Sequence, residues 1–298
     1  MKTRVVHWGT GNTGRLALRG VLQHPDLELV GLYVHSPDKV GRDAGELIGR
    51  DDTGVIATND VDELLAIDAD CLCYLGDGIG PRAPEAVEEM SRFLRAGRNV
   101  VSTSLNQLVN PKTAADDLRI PLEEACREGN TSFFNNGADP GFGSDLIPLT
   151  LLSLMDDIES VRIQEIVNYS HYDQAWVMRE LFGFGQPLDY QSPLFNSGAL
   201  TEYWGGVVTM IADALRLQLD EIREVHEFAA VDTDVDVGVG RIDAGTIAAI
   251  RFEVQGIVGG EPVVVVEHDT RIHDDAAPDW PVCRGGDNCY RVLLEGRP

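Results

Sequence analysis

The sequence predicts an α/β fold in two parts, a doubly wound parallel sheet over residues 1–140 and a strand-rich α+β unit over residues 141–298. In the first part, short apolar strands alternate with amphipathic helices, which is the pattern of parallel strands joined by crossover helices. After "GADPGFG", residues 137–143, this alternation stops and mostly strands follow. The change of pattern therefore sets the boundary between the two predicted domains.

The predicted strands of the first domain are RVVHW, LELVGLYVH, residues 55–57, DCLCYLG, NVVSTS and TSFFNN. The helical patterns among them are RLALRGVLQH, VDELLAI, PRAPEAVEEMSRFLRAG and IPLEEACREG. The third of these helices begins with prolines and ends at Gly97, as helices commonly do. Ligands of such sheets lie beyond the carboxyl ends of the strands, so functional residues are expected there.

The second domain is predicted to begin with a helix, capped by Ser144, over SDLIPLTLLSLM. A long strand is predicted over IESVRIQEIVNY and a second helix over YWGGVVTMIADALRLQLDEI. AVDTDVDVGVG alternates like a half-exposed strand with its aspartates towards solvent. TIAAIRFEVQGIVGGEPVVVVEHDTRI predicts a hairpin that turns at Gly259 and Gly260. Residues 288–298 fit either an edge strand or a strand that lacks its returning partner, and we expect that a native C-terminal segment is missing.

The composition excludes several kinds of partner. A formal net charge of −25 argues against nucleic acid and anionic membranes, because both would repel the protein. No apolar run approaches the roughly 18 residues that would span a membrane. The five scattered cysteines suit a reducing cytoplasm better than a disulfide framework. Cys283 and Cys289 have neither the spacing nor the neighbouring ligands of a zinc site, so we expect no metal.

Gly9, Gly11 and Gly14 form the spacing G-x-G-x-x-G between the first strand and the first helix. The first glycine permits a tight turn, the second lets the backbone approach a pyrophosphate, and the third lets the helix pack closely on the strand. The free N–H groups of the helix N-terminus then face the anionic ligand. We therefore predict a dinucleotide site. The residues expected to contact the dinucleotide are Gly9, Thr10, Gly11, Asn12, Thr13 and Gly14.

The loop after the second strand predicts which dinucleotide binds. NAD enzymes usually carry an acidic residue there, which binds the ribose hydroxyls. The side chains in this chain are His35, Ser36, Lys39 and Arg42. Small polar and cationic groups suit a 2′-phosphate, which a carboxylate would repel. We therefore predict NADP, with NAD as the alternative because Asp38 or Asp43 could reach the ribose in another loop conformation.

Further strand ends complete the predicted cofactor site. Gly76 and Asp77 follow the fourth strand and Thr103 follows the fifth, so these residues would line the ribose and the nicotinamide. Asn136 follows the sixth strand, where the chain passes to the second domain.

Several segments together resemble the dihydrodipicolinate-reductase-like superfamily, and within it the branch of native amine dehydrogenases and 2,4-diaminopentanoate dehydrogenases. The segments are VVHWGTGNTGR, VHSPDKVGRDAGEL, NVVSTS, NNGADPGF and the WP…GG…YRVLLEG tail. The resemblance implies a Rossmann domain followed by an α+β domain with an open mixed sheet, usually in a homodimer. It also implies NAD(P)-dependent oxidative deamination of a small primary amine, or the reverse reductive amination of a ketone or aldehyde.

The chain departs from this superfamily at two places. Dihydrodipicolinate reductases proper carry paired histidines and a lysine in the stretch corresponding to EIVNYSHYDQAWVMRELFGFG, which here has only His171 and no lysine. Amine dehydrogenases of the branch carry a glutamate after the fifth strand, where this chain has STSLNQLVNP. Asn106 or Gln107 could bond to an amine or a carbonyl, but neither is a general base.

The remaining catalytic candidates lie in "NYSHYDQAW", residues 168–176. Tyr169, His171 or Tyr172 could protonate a developing alkoxide. Trp176, Phe182 and Phe184 could form an apolar wall. Without the expected glutamate, two alternatives to amine chemistry stay open: an NADP-dependent carbonyl reductase, and a non-catalytic NADP-binding sensor.

Overall fold

The computed structural model describes residues 1–78 and 80–297 of the chain. The chain forms two compact units, Met1–Gly137 and Ala138–Pro298. The first contains a parallel sheet and the second a mixed sheet, which confirms the predicted fold class. Among the described residues, no helix has the length and apolar character needed to cross a bilayer.

The first unit is a six-stranded sheet with helices on both faces. Its strands are β1 Thr3–Trp8, β2 Leu27–Tyr33, β3 Ala57–Thr58, β4 Cys71–Tyr74, β5 Asn99–Ser102 and β6 Phe133–Asn135. Its helices are α1 Asn12–Gln23, α2 Val61–Ala66, α3 Ala83–Arg95 and α4 Asp116–Gly129. The strand order is β3-β2-β1-β4-β5-β6, and every neighbouring pair is parallel. The order reverses at β1, where ligands of such sheets bind.

Burial on both faces explains the apolar strands of this unit. Val5 packs with Leu18 of α1 in one core, whereas the adjacent Val6 belongs to the opposite core together with Met90 and Phe93 of α3. Because successive side chains of a strand point to opposite faces, both residues must be apolar.

The second unit is built on an open five-stranded sheet. Its helices are α5 Leu146–Leu151 and α6 Ala199–Ala214, and its strands are β7 Asp156–Asn168, β8 Glu221–Ala230, β9 Val235–Val237, β10 Gly240–Ile242, β11 Ile247–Val258, β12 Glu261–Arg271 and β13 Asn288–Arg297. The sheet order is β13-β7-β12-β11-β8, with β12 and β7 parallel and the other pairs antiparallel. As predicted, β11 and β12 form a hairpin whose turn glycines, Gly259 and Gly260, have positive φ.

Two local predictions for this unit are wrong. The N-cap of α5 is Asp145, whose carboxylate accepts from the Leu146 N–H, whereas the Ser144 hydroxyl accepts from the N–H of Gly141. The alternating aspartate segment is not one strand: it bends into the hairpin of β9 and β10, because Asp234 accepts from the Ala244 N–H and pairs with Arg241. At the other end of the unit, β13 pairs with β7 as an edge strand.

Candidate functional site

The three glycines after β1 have different structural requirements. Gly9 has a φ of 101°, and a Cβ there would lie 2.7 Å from the carbonyl oxygen of Leu75. A Cβ on Gly14 would lie 2.4 Å from the Gly9 carbonyl oxygen. Gly11, the N-cap of α1, has a φ of −71°, and a Cβ there would meet no atom within 4 Å. The fold itself thus requires Gly9 and Gly14, whereas Gly11 leaves open space where a ligand can approach.

A buried histidine holds this loop closed. The Nε2 of His7 lies 3.0 Å from the carbonyl oxygens of both Gly9 and Gly14, so it must carry a proton in order to donate to them. Burial lowers the pKa of His7 to about 4, although the two carbonyl contacts act in the opposite direction. His7 is therefore neutral at physiological pH, and it ties the start of α1 to the end of β1.

A cavity of about 250 Å³ lies at the carboxyl ends of β1, β2 and β4. The predicted residues that line it are Gly9, Thr10, Gly11, His35, Ser36, Lys39, Gly76 and Asp77. Within the described part of the chain, the other predicted cofactor residues do not line this cavity. They are Asn12, Thr13, Gly14, Arg42, Thr103 and Asn136. Most of the predicted pyrophosphate loop and second-strand loop thus meets in one cavity.

Cationic groups gather at the second-strand side of the cavity. The Arg82 guanidinium lies 2.7 Å from Nε2 of His35, and the Lys39 ammonium donates to the hydroxyl of Thr10 over 3.2 Å. Arg82 also pairs with Glu85 over 2.5 Å, as Arg42 does with Glu46 over 2.9 Å, but of these two arginines only Arg82 belongs to the described lining of the cavity. The guanidinium near His35 is therefore that of Arg82, at the start of α3, and not that of Arg42.

The carboxylate of Asp43 is engaged by its own loop. It accepts hydrogen bonds from the N–H groups of Gly45, Thr53 and Gly54 over 2.7–2.9 Å. Burial would raise the pKa of Asp43, but these bonds outweigh burial and lower it. Asp43 thus closes the loop of residues 43–54.

Replacing this aspartate tests its role. We expect Asp43→Ala to lower the free energy of unfolding by about 1–2 kcal/mol, because three backbone donors lose a charged acceptor. The ratio of NADPH to NADH affinity should stay unchanged. Urea unfolding and dinucleotide titration measure the two quantities, and a shift of that ratio towards NADPH would instead identify Asp43 as a ribose ligand.

The predicted catalytic residues occupy separate places. Asn106 and Gln107 lie in the short helical turn Asn106–Val109 after β5 of the first unit. In the second unit, the rings of Tyr169 and Tyr172 meet edge to face at 5.4 Å. His171 is exposed and lines a different cavity, of about 400 Å³. Trp176 is also exposed, whereas Phe182 packs 5.9 Å from the Tyr169 ring. Tyr169, Tyr172 and Phe182 thus form one aromatic group, which Phe184 joins by stacking 5.9 Å from the Phe182 ring.

A row of side chains crosses the sheet of the second unit at a single register. Tyr290, Glu165, His268, Phe252 and His226 are successive cross-strand partners on β13, β7, β12, β11 and β8. The Tyr290 hydroxyl donates to Oε1 of Glu165 over 2.6 Å, and Nδ1 of His268 lies 3.0 Å from Oε2 of the same carboxylate. The His268 ring stacks on Phe252 at 4.3 Å.

Asp139 completes this row from the segment before α5. Its Oδ2 lies 2.9 Å from Nε2 of His268, which is an ion-pair distance, although the two atoms are not aligned for a hydrogen bond. The same oxygen accepts a hydrogen bond from the Trp204 indole N–H over 2.6 Å. Burial would lower the pKa of His268, but Asp139 and Glu165 raise it to about 10. Burial would raise the pKa of Asp139, but the charge of His268 lowers it. The imidazolium thus lies between two carboxylates.

Asp139, Glu165 and His268 also have the composition of a metal site, with candidate ligand atoms within 4.8 Å of one another. Their arrangement instead suits a proton, because both imidazole nitrogens face carboxylates and a metal-bound imidazole must offer a bare nitrogen. The sequence prediction missed all three residues. The available indication was "VVVVEHDTR", three ionisable residues in the middle of an apolar strand, where unpaired charges are rarely buried.

Family profiles match both units of the chain. Residues 3–76 match the profile described as dihydrodipicolinate reductase, N-terminus. Residues 142–288 match the profile described as 2,4-diaminopentanoate dehydrogenase C-terminal domain.

Individual proteins match over nearly the whole chain. An amine dehydrogenase of Streptomyces virginiae is 48% identical over 296 residues, which cover 98% of this chain and 82% of that protein. A 2,4-diaminopentanoate dehydrogenase of Acetoanaerobium sticklandii is 24% identical over 313 residues, covering all of this chain and 82% of the relative. The structure of an amine dehydrogenase from Mycobacterium smegmatis shares the fold, with a TM-score of 0.79 at 18% identity and coverage of 100% and 85%.

Proposed function

Because the chain belongs to the amine dehydrogenase and 2,4-diaminopentanoate dehydrogenase branch of the dihydrodipicolinate-reductase-like superfamily, we propose that it interconverts a small primary amine and the corresponding ketone or aldehyde with NADP(H). Membership of this branch makes the chain a dehydrogenase. The observation that carries the amine assignment is the 48% identity to an amine dehydrogenase, which extends through both units. The NADP assignment depends on the cationic side of the cavity in the first unit.

The proposed reaction balances as follows. In the deamination direction, an alkylammonium, oxidised dinucleotide and water become a carbonyl compound, ammonium, reduced dinucleotide and a proton. The bound dinucleotide supplies the hydride acceptor. The protein has to bind the pyrophosphate on the loop of residues 9–14, orient the substrate carbon, and accept the proton that the nitrogen loses.

Charge and hydrogen bonding support NADP over NAD. Arg82, beside His35, and Lys39, beside Thr10, supply two cations to the cavity in which a 2′-phosphate would place most of its negative charge. Asp43 is held by its own loop, and Glu89 in the cavity wall accepts a 2.5 Å hydrogen bond from Tyr74. These acids therefore already have partners other than a ribose.

Replacing arginines one at a time tests this preference. Arg82→Ala should raise the dissociation constant of NADPH about tenfold or more and that of NADH less than twofold, because only NADPH carries the phosphate that this charge would bind. Arg42→Ala is the matched control and should change neither, since Arg42 is not among the described residues that line the cavity. Equal weakening of both dinucleotides by Arg82→Ala would contradict the assignment.

The activity is tested by following NADPH, and separately NADH, with a panel of small ketones and aldehydes, each with and without ammonia. Turnover that requires ammonia is the expected result. Turnover indifferent to ammonia would identify a carbonyl reductase. Cofactor binding without turnover across the panel would favour a sensor.

We also propose that the enzyme is a cytoplasmic homodimer. The five cysteines are scattered along the chain, which suits a reducing compartment. The family resemblance supports the dimer, and light scattering of the purified chain measures its mass in solution.

A further inference from the structure

A primary amine reaches a protein at neutral pH as an ammonium ion, so an amine dehydrogenase needs an anionic group to bind it and to accept its proton. The branch places a glutamate after the fifth strand for this purpose, but the turn after β5 offers Asn106 and Gln107. A different carboxylate must therefore serve if this chain processes amines.

The second unit contains a buried group of suitable charge. Asp139 and Glu165 are two carboxylates around one imidazolium, that of His268, so the group carries one net negative charge. Within the described part of the chain, neither carboxylate forms an ion pair with a lysine or an arginine. Excess charge in such a place is unfavourable unless a cation or further donors compensate it. An alkylammonium supplies both.

The exposures of these side chains differ. Those of Asp139 and His268 are 3% and 5% exposed, whereas that of Glu165 is 16% exposed and its partner Tyr290 is 38% exposed. A ligand from solvent therefore meets this group at Glu165. Tyr169 borders the same end: burial raises its pKa, and the charge of Glu165 raises it further.

We propose that Glu165 is the carboxylate that binds the substrate's amine nitrogen and accepts its proton, and that Tyr290, His268 and Asp139 hold it in position. This inference rests on the proposed function and names the residue that performs its proton step. Glu165 is the catalytic residue, because it touches the substrate. The other three act through it.

The positioning contacts fix both oxygens of Glu165. Tyr290 holds Oε1, and its ring is seated against Gly143, where a Cβ would lie 2.6 Å from the ring. His268 holds Oε2, and it is oriented by Asp139 and by the stack on Phe252. The carboxylate thus keeps one rotamer on a central strand, and an incoming nitrogen meets preorganised lone pairs.

The proton step follows from this placement. The ammonium transfers one proton from nitrogen to Glu165, so the nitrogen gains a lone pair. That lone pair would form the C=N bond when carbon loses its hydride, and a dinucleotide held by residues 9–14 would supply the hydride acceptor. Glu165 then releases its proton to water, and water adds to the iminium carbon before ammonia leaves. In the reverse direction, the protonated Glu165 returns the proton to nitrogen.

The test is calorimetric titration of cyclohexylamine, with cyclohexanol as the neutral comparison, into the full chain loaded with NADPH. Reduced cofactor prevents turnover, so binding is measured whether or not the protein catalyses the proposed reaction. We expect Glu165→Gln to weaken cyclohexylamine binding at least tenfold and to leave cyclohexanol and NADPH binding within twofold. Glu165→Asp should restore part of the amine affinity. Glu159→Gln, an exposed glutamate near the start of the same strand, is the matched control and should behave like the unmodified protein.

Equal binding of cyclohexylamine by the unmodified protein and Glu165→Gln overturns the inference, as does failure of the unmodified protein to bind it. The ammonia-dependent turnover assay reports separately on the proposed function. If that assay succeeds, Glu165→Gln should lower kcat about 100-fold or more, the usual effect of losing a general base. Tyr290→Phe keeps the ring but removes the donor, so it should raise KM for the amine threefold to tenfold without altering KM for NADPH.

Discussion

Gly11→Val is expected to abolish dinucleotide binding, with a loss of affinity of at least 100-fold, while the protein stays folded. The space beside Gly11 is open, because a Cβ there meets no atom within 4 Å, and its φ of −71° suits any residue. A valine side chain would fill the space through which a pyrophosphate approaches the backbone. Stability should fall by no more than about 1 kcal/mol, the usual cost of an unfavourable helix N-cap.

Gly14→Ala is the comparison that separates the two kinds of glycine. Its Cβ would lie 2.4 Å from the Gly9 carbonyl oxygen, so we expect a marked loss of thermal stability. Fluorescence titration with NADPH and thermal unfolding of both variants measure the two effects. If Gly11→Val kept its affinity for both dinucleotides, the glycine loop would not be the pyrophosphate site.

The first unit was predictable because its determinants are local. The glycine spacing and the alternation of strand and helix are visible within short windows, and six predicted cofactor side chains or backbone positions from residues 9–39 line one cavity. Arg82 was missed because its position depends on how the β4–α3 connection folds back towards the loop after β2. Arg42 has an equally suitable side chain in sequence, but it is not among the described residues that line the cavity.

The second unit shows where sequence patterns stop being sufficient. Glu165 and His268 meet through the parallel pairing of β12 with β7, two strands about 100 residues apart in sequence, and Asp139 joins them from the segment before α5. Glu165 and His268 are partners because of the register between β7 and β12, and a local sequence pattern does not determine that register. Of the catalytic residues predicted from "NYSHYDQAW", Tyr169 lies close enough to Glu165 for the carboxylate charge to raise its pKa. His171, two residues later, is exposed. Buried ionisable residues in an apolar strand would have been the better guide.

A loss of stability at acid pH is expected from His7. Its pKa is lowered from 6.5 to about 4 in the folded protein, so the unfolded chain binds a proton that the folded chain rejects. Stability from this residue is complete above pH 6.5 and declines as the pH falls towards 4, by up to about 3 kcal/mol. His268 acts in the opposite direction: its raised pKa, about 10, makes its contribution complete below pH 6.5 and lost as the pH rises through 10.

The substitution His7→Gln tests whether His7 causes the loss of stability at acid pH. A glutamine amide can donate to the carbonyls of Gly9 and Gly14 but does not titrate, so the variant should lose much of the decline in stability between pH 6.5 and 4. Urea unfolding across this range measures it, with exposed His24→Gln as the control that should keep the decline. An unchanged slope in His7→Gln would assign acid sensitivity to the carboxylates instead. Because His7 also closes the glycine loop, its protonation in the folded protein should weaken NADPH binding as the pH falls to about 4, and titrations at pH 7 and pH 4 link the two effects in one residue.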